Sequence, residues 1–228
     1  MPAHFVEITL PGFSLADTLD CGQAFRWKQI GENTFSGIHQ GHSLTVSQQG
    51  DRIRFDGVTE EEFSHIWAVY FDLDTDYDSM KAVFSADPVL KEACGFCGGI
   101  RILRQDPWEA LCSFIISQNN NIPRIKGIID RLCRQFGEPC GEDFAFPSPE
   151  RLAACSLEDL APLRAGFRAK YILDAAQKVE DGMVDLTEIP ALPMAEARET
   201  LMQIKGVGVK VAECALLYGF HRLDAFPV

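Results

Sequence analysis

The sequence has no run of about eighteen consecutive apolar residues, so no membrane-spanning helix is expected. Its start, Met1-Pro2-Ala3-His4, lacks the basic cluster and the apolar core of a secretory signal. No repeat or low-complexity tract stands out. The only Cys-x-x-Cys is Cys94 to Cys97, without a second pair or a histidine at zinc spacing, so no metal site is expected. The eight cysteines therefore read as reduced thiols, with Cys112, Cys133, Cys155 and Cys214 in apolar helical patterns as small core residues. A cytoplasmic protein, or a nuclear one in a eukaryote, fits this usage.

Positive charge is scarce, with 21 Lys and Arg against 33 Asp and Glu. Its distribution matters more than its sum. Residues 1–98 hold 6 basic and 15 acidic side chains and residues 137–202 hold 6 and 13, but residues 99–136 hold 6 and 3. A basic strip on an acidic body is able to grip a phosphate backbone with few, salt-sensitive contacts. A solvated charge pattern with no partner fits the same numbers.

At 228 residues and 46% hydrophobic, the chain is long enough for a sizeable core without staples. An α+β fold is expected, an antiparallel β domain with flanking helices over 1–92 and a helical domain over 93–228. Alternating runs at His4–Leu10, Ala24–Ile30, Thr34–His39, Ser43–Gln48 and Arg52–Phe55 predict the sheet. Thr59 and three glutamates predict the start of a helix through Trp67 and Phe71. The period then predicts helices over Pro107–Ser117, Ile122–Phe136, Pro149–Ala154, Leu157–Leu163, Ala169–Val179, Met194–Ile204 and Gly208–Tyr218.

The most informative stretch is Ile204-Lys205-Gly206-Val207-Gly208-Val209-Lys210-Val211-Ala212. Two glycines permit a sharp turn and close approach of a ligand, and the apolar run that follows reads as a helix whose N-terminus favours an anion. It lacks the third glycine of a dinucleotide fingerprint and the Gly-Lys-Ser/Thr ending of a P-loop. Read alone, it fits both a phosphate cradle and an ordinary helix cap followed by a surface lysine.

Three more blocks stand beside it: Asp20-Cys21-Gly22-Gln23-Ala24-Phe25-Arg26-Trp27; Arg101 to Pro107 leading through Ser113–Gln118 to Asn119-Asn120-Asn121-Ile122-Pro123-Arg124; and Gly166-Phe167-Arg168-Ala169-Lys170-Tyr171. In this order, and with Phe226-Pro227-Val228 after the hairpin, the chain resembles the 8-oxoguanine DNA glycosylases of the helix-hairpin-helix superfamily. The iron–sulfur loop of related glycosylases of the endonuclease III type has no counterpart here.

The resemblance implies a bifunctional glycosylase and abasic-site lyase acting as a monomer, without a cofactor, on double-stranded DNA that contains oxidised guanine. The Lys210 amine, partly dehydrated at the mouth of a cavity, would attack the sugar C1′ and form a Schiff base. Gly22 would offer its carbonyl to the N7 hydrogen of the lesion, and Cys214 would stack on the flipped base. Asn119 would enter the gap left in the duplex, Arg124 and Arg168 would read the opposite cytosine, and Phe167 would act as a wedge. Gly206, Val207 and Gly208 would cradle a phosphate. Without the resemblance, the asparagines fit a helix cap, the arginines surface ion pairs, Phe167 and Cys214 core positions; Phe25 and Trp27 are expected in the sheet core.

The family pattern continues Pro-Val-Asp-Val-His, whereas this sequence stops at Val228, and Asp224 matches a variable position. A chain truncated before the family's aspartate is therefore expected, with little turnover of its own. Two other readings stay open, a helix-hairpin-helix glycosylase for another lesion and a non-catalytic DNA-binding module.

Overall fold

The computed structural model describes residues 4–228. Of the sequence start read above, Met1–Ala3 lie outside the described residues. The fold is α+β. The chain forms two compact units, one of residues up to 37 plus 44–104, the other of 38–43 plus 105–228.

The first unit carries most of a five-stranded antiparallel sheet: β1 (Phe5–Thr9), β2 (Lys28–Gly31), β3 (Thr34–His39), β4 (His42–Gln49) and β5 (Arg52–Asp56), in the order β1-β5-β4-β3-β2. Gln40 and Gly41, with φ of 47° and 78°, make the two-residue turn between β3 and β4. Val6, Leu44, Val46, Ile53 and Phe55 point one way and pack with Trp27, Trp67, Tyr70 and Phe71 in one core. The expected strand at Ala24 begins only at Lys28. Ala24, Phe25 and Trp27 are all buried, which the alternation of a strand does not allow; Trp27 joins the sheet core as expected, and Phe25 is buried without belonging to that core cluster.

Helix α1 covers Leu15–Asp20, and α2 runs over residues 60–70 with a π-wound middle at Phe63–Trp67. Thr59 and Glu62 form the capping box that the sequence predicts. Two helices go beyond the sequence expectation, α3 (Tyr77–Phe84) and α4 (Pro88–Cys97). Neither contains a buried residue, so neither has the core-facing stripe that would announce it.

The second unit is helical: α5 (Pro107–Ser117), α6 (Ile122–Phe136), α7 (Pro149–Ala153), α8 (Arg168–Glu180), α9 (Met194–Met202) and α10 (Val209–Tyr218). Asp106, Asn121 and Ser148 cap the first three, each with proline in the first turn. The core collects Leu111, Ile115, Ile128, Leu132, Ile172, Leu201, Ala212 and Leu216. The helix expected over Leu157–Leu163 reduces to a 3-10 turn at Ala161–Leu163. Ser156 and Asp159 bond to each other's backbone amides there, a local turn that competes with helix. A short ribbon, Pro139–Cys140 with Asp143–Phe144, fills the loop after α6. Cys112 and Cys133 are buried as expected, whereas Cys155 and Cys214 are only half-buried. Among the described residues, no helix is long and apolar enough to cross a membrane.

Candidate nucleic-acid interface

The glycine turn joins α9 to α10 and forms a helix-hairpin-helix. Its two glycines do different work. Gly206 has φ of 78°, and a Cβ there would lie 2.4 Å from the Tyr171 ring, so the turn is pressed flat on that side chain. Gly208 is extended and a Cβ there would meet only open space. No side chain caps α10, which leaves its first-turn N–H groups without an acceptor inside the helix and with room in front of them. Val207 departs from the expected cradle, since its side chain is buried and its N–H donates to Ile204 O at 3.0 Å.

Lys210 stands on the first turn of α10 and is exposed. This exposure does not match the expected partial dehydration of the amine. Cys214 follows at i+4 on the same face. Burial pushes its thiol up, and the Lys210 charge only partly offsets this, so the sulfur is a neutral thiol at ordinary pH. A cavity of about 500 Å³ does lie against the hairpin, lined by Lys170, Tyr171, Asp174, Gln177, Lys205 and Gly206, and Lys210 is not among its walls.

The α5–α6 corner separates the three asparagines by role. Asn120 Nδ2 donates to Ile116 O at 3.0 Å and closes α5, while Asn121 Oδ1 accepts the Arg124 N–H at 3.0 Å and opens α6. Asn119 is exposed, with φ of 45°. Two of the triplet are helix caps, and the remaining one presents its amide outward.

Phe167 is 47% exposed at the start of α8, which rules out the core alternative, and it meets Tyr171 edge to face at 5.8 Å. Arg168 beside it is buried. Its Nε and Nη2 donate to Gln118 O, Nη2 also to Asn119 O at 2.8 Å, and Nη1 to Ala165 O at 3.2 Å. Burial, and then the charge of Arg124, pull its ionisation below the usual guanidinium range. The nearby Arg124 is exposed.

Of the basic strip expected from residues 99–136, Arg101 is buried and Lys126 and Arg131 are half-buried, while Arg104, Arg124 and Arg134 are exposed, Arg104 and Arg134 within ion pairs. Arg101 donates to Asp72 O and Thr75 O, Arg104 pairs with Asp72 at 2.8 Å, Arg131 donates to Leu163 O, and Arg134 pairs with Asp130. A count of charges along a chain does not distinguish a solvent-facing cation from one that satisfies a carbonyl. Asp224 likewise pairs with Arg222, at 3.0 Å.

Gly22 lies in the first unit, half-buried, with φ of 89°. The next residue fixes it: the buried Gln23 donates to Thr18 O and Arg101 O at 2.8 and 2.9 Å and accepts the Leu103 N–H at 2.9 Å. Gln23 is one residue whose positioning role is not visible in the sequence. Glu213 is another; buried on α10, it accepts from Arg198 at 2.6 Å and from the Phe226 N–H at 2.9 Å, tying the segment after the hairpin to the hairpin helix. A carboxylate within the otherwise apolar run Val211-Ala212-Glu213-Cys214 is the signal that points to it.

Residues 6–111 match the 8-oxoguanine DNA glycosylase N-terminal domain, and residues 112–228 match the HhH-GPD superfamily base excision DNA repair proteins. The N-glycosylase/DNA lyase of Saccharomyces cerevisiae is 32% identical over 94% of this chain, which spans 65% of that relative's length and so falls short of two thirds of it. The apo-form of the Clostridium acetobutylicum 8-oxoguanine glycosylase/lyase is 40% identical, with a TM-score of 0.93 over 98% of this chain and 80% of that one. The complex of the same enzyme with double-stranded DNA containing cytosine opposite 8-oxoguanine gives 38% and 0.91, over 99% and 81%. The chain belongs to the HhH-GPD superfamily of base excision DNA repair proteins and carries the N-terminal domain of its 8-oxoguanine DNA glycosylases.

Proposed function

We propose that the protein is a DNA glycosylase with abasic-site lyase activity that removes 8-oxoguanine opposite cytosine. The observation that carries this reading is the standing of Lys210 on the first turn of α10, directly behind an uncapped glycine turn, in a chain whose family repairs bases. The open amides would hold a backbone phosphate while the amine, already outside the protein surface, enters the space of an extruded nucleotide.

In this reading the amine attacks C1′ and the C1′–N9 bond breaks, the base leaving with the electron pair. The nitrogen gives up a proton and the C1′–O4′ bond opens, O4′ taking up a proton as its leaving pair is replaced by the nitrogen lone pair; the resulting protonated imine acidifies the C2′ hydrogen, whose removal expels the 3′-phosphate by β-elimination. Gly22 accepts the N7 hydrogen that guanine lacks, and Cys214 lies against the base as a neutral thiol. Asn119 fills the gap, with Phe167 holding the step apart. Arg124 faces the opposite cytosine as it stands, whereas Arg168 reaches a base only by exchanging its carbonyl partners for it. The protein acts as a monomer, in the cytoplasm or nucleus, where its thiols stay reduced.

Borohydride trapping on a duplex containing 8-oxoguanine opposite cytosine tests the reading. A covalent adduct is expected with the intact enzyme, which includes the family's aspartate, and none with its Lys210→Gln variant. An adduct that persists in Lys210→Gln would remove the assigned nucleophile, and stronger trapping on a duplex with another lesion would replace the assigned base.

A further inference from the structure

The turn that carries the proposed chemistry does not hold itself in place. Between α9 and α10, the N–H groups of Gln203, Ile204 and Val207 stay within the hairpin, on Thr200 O, Leu201 O and Ile204 O. That of Lys205 leaves it and donates to Asp174 Oδ2 on α8 at 2.8 Å. The Gln203 carbonyl is likewise met from α8, by Lys178 Nζ at 2.6 Å, and the same ammonium lies 3.0 Å from Asp174 Oδ2. One helical turn earlier, Tyr171 presents the ring face against which Gly206 is pressed. Three successive turns of α8 thus meet residues 203, 205 and 206.

Asp174 stands at the centre of this set. Its carboxylate is about 10% exposed, and a charge so placed is costly unless donors surround it. It takes a main-chain amide and two ammonium groups, the second being Lys205 Nζ at 3.1 Å, whose own side chain is 74% exposed. An exposed ammonium adds little; the amide and the Lys178 brace are what a carboxylate at this point supplies. We infer that Asp174 is a positioning residue, which fixes the hairpin on α8 and so sets where Lys210 and the open amides of α10 project. The inference deepens the DNA-repair reading and rests on it for the meaning of that placement, since preorganised groups act only where they are held.

Hydrogen exchange on the free protein tests the anchor apart from the DNA. Asp174→Ala is expected to speed exchange of the Lys205 amide by about tenfold or more while Leu111 and Ile115 in α5 keep their rates. Asp174→Asn, whose amide oxygen still accepts the N–H, is expected to fall between, and Lys205→Ala to leave exchange at residue 205 unchanged. Affinity for a duplex with a tetrahydrofuran abasic analogue is expected to drop about tenfold in Asp174→Ala, the loss of one charge-assisted anchor. Unchanged exchange at Lys205, or a uniform rise through α5, would overturn the inference; should Asp174→Ala fail to fold, the same two readouts on Asp174→Asn decide it. A loosened hairpin with full DNA affinity would instead keep the anchor and overturn the assignment of the hairpin to DNA.

Discussion

The guanidinium carbon of Arg168 lies 4.4 Å from the ring centre of Phe167, while its nitrogens hold the carbonyls of Gln118 and Asn119. One buried cation thereby joins the proposed wedge to the residue proposed to fill the duplex gap. In the free protein, Arg168 is a clamp on its own chain. Arg168→Ala removes the charged donor from these carbonyls, and a loss of about 2–3 kcal/mol in urea unfolding is expected. Arg168→Lys, which lacks the planar fork, is expected to recover less than half of it.

Asn119 offers a cleaner probe of binding. Its φ of 45° suits asparagine or glycine, and alanine there is strained by about 1 kcal/mol. Asn119→Gly is expected to keep the melting temperature and yet weaken binding to a duplex with an abasic site. Equal affinity with and without the side chain would show that Asn119 does not enter the gap.

The two glycines of the hairpin are expected to respond oppositely to alanine. Gly206→Ala forces a Cβ to 2.4 Å from the Tyr171 ring at a positive φ, and about 2 kcal/mol or more of stability is lost. Gly208→Ala meets nothing and leaves stability within about 0.5 kcal/mol. Its methyl group stands in front of the open amides instead, so fluorescence anisotropy with duplex DNA is expected to show weaker binding.

Acid stability reports on Asp174. Burial pushes its carboxyl up, but the Lys205 amide and the two ammonium groups outweigh this and the net direction is down. A depressed carboxylate stabilises the fold fully above its unfolded pKa of about 3.9 and loses that contribution as pH falls through the lower folded value. Thermal unfolding between pH 6 and about 3 is expected to show a shallower acid decline for Asp174→Asn than for the parent.

Cys214 is the remaining probe. Its raised thiol predicts slow alkylation by iodoacetamide at pH 7.5, and rates that climb with pH above that. Bound abasic duplex is expected to protect it further, because the same face of α10 carries Lys210. Undiminished alkylation in the complex would place the DNA elsewhere.

How far the chain is legible depends on the kind of signal. The capping box at Thr59, the proline-led starts of α5 and α6, and the alternation of β1 and β3 to β5 are local, and they stand where the residues place them. Helices α3 and α4 escape because they bury nothing, and the strand expected at Ala24 starts late where Gln23 is held by Thr18 in the preceding helix and by the backbone of the distant Arg101 and Leu103.

By itself, the sequence determined the order of elements, the hairpin and the position of its lysine, since turns, caps and apolar periods depend on neighbours within a few residues. Only the tertiary structure decided which asparagine is free of capping, which arginines face solvent, and that Asp174 grips a turn 31 residues away. Those outcomes rest on which carbonyl or amide a folded chain brings within 3 Å of a side chain, and adjacency in the sequence carries no trace of that.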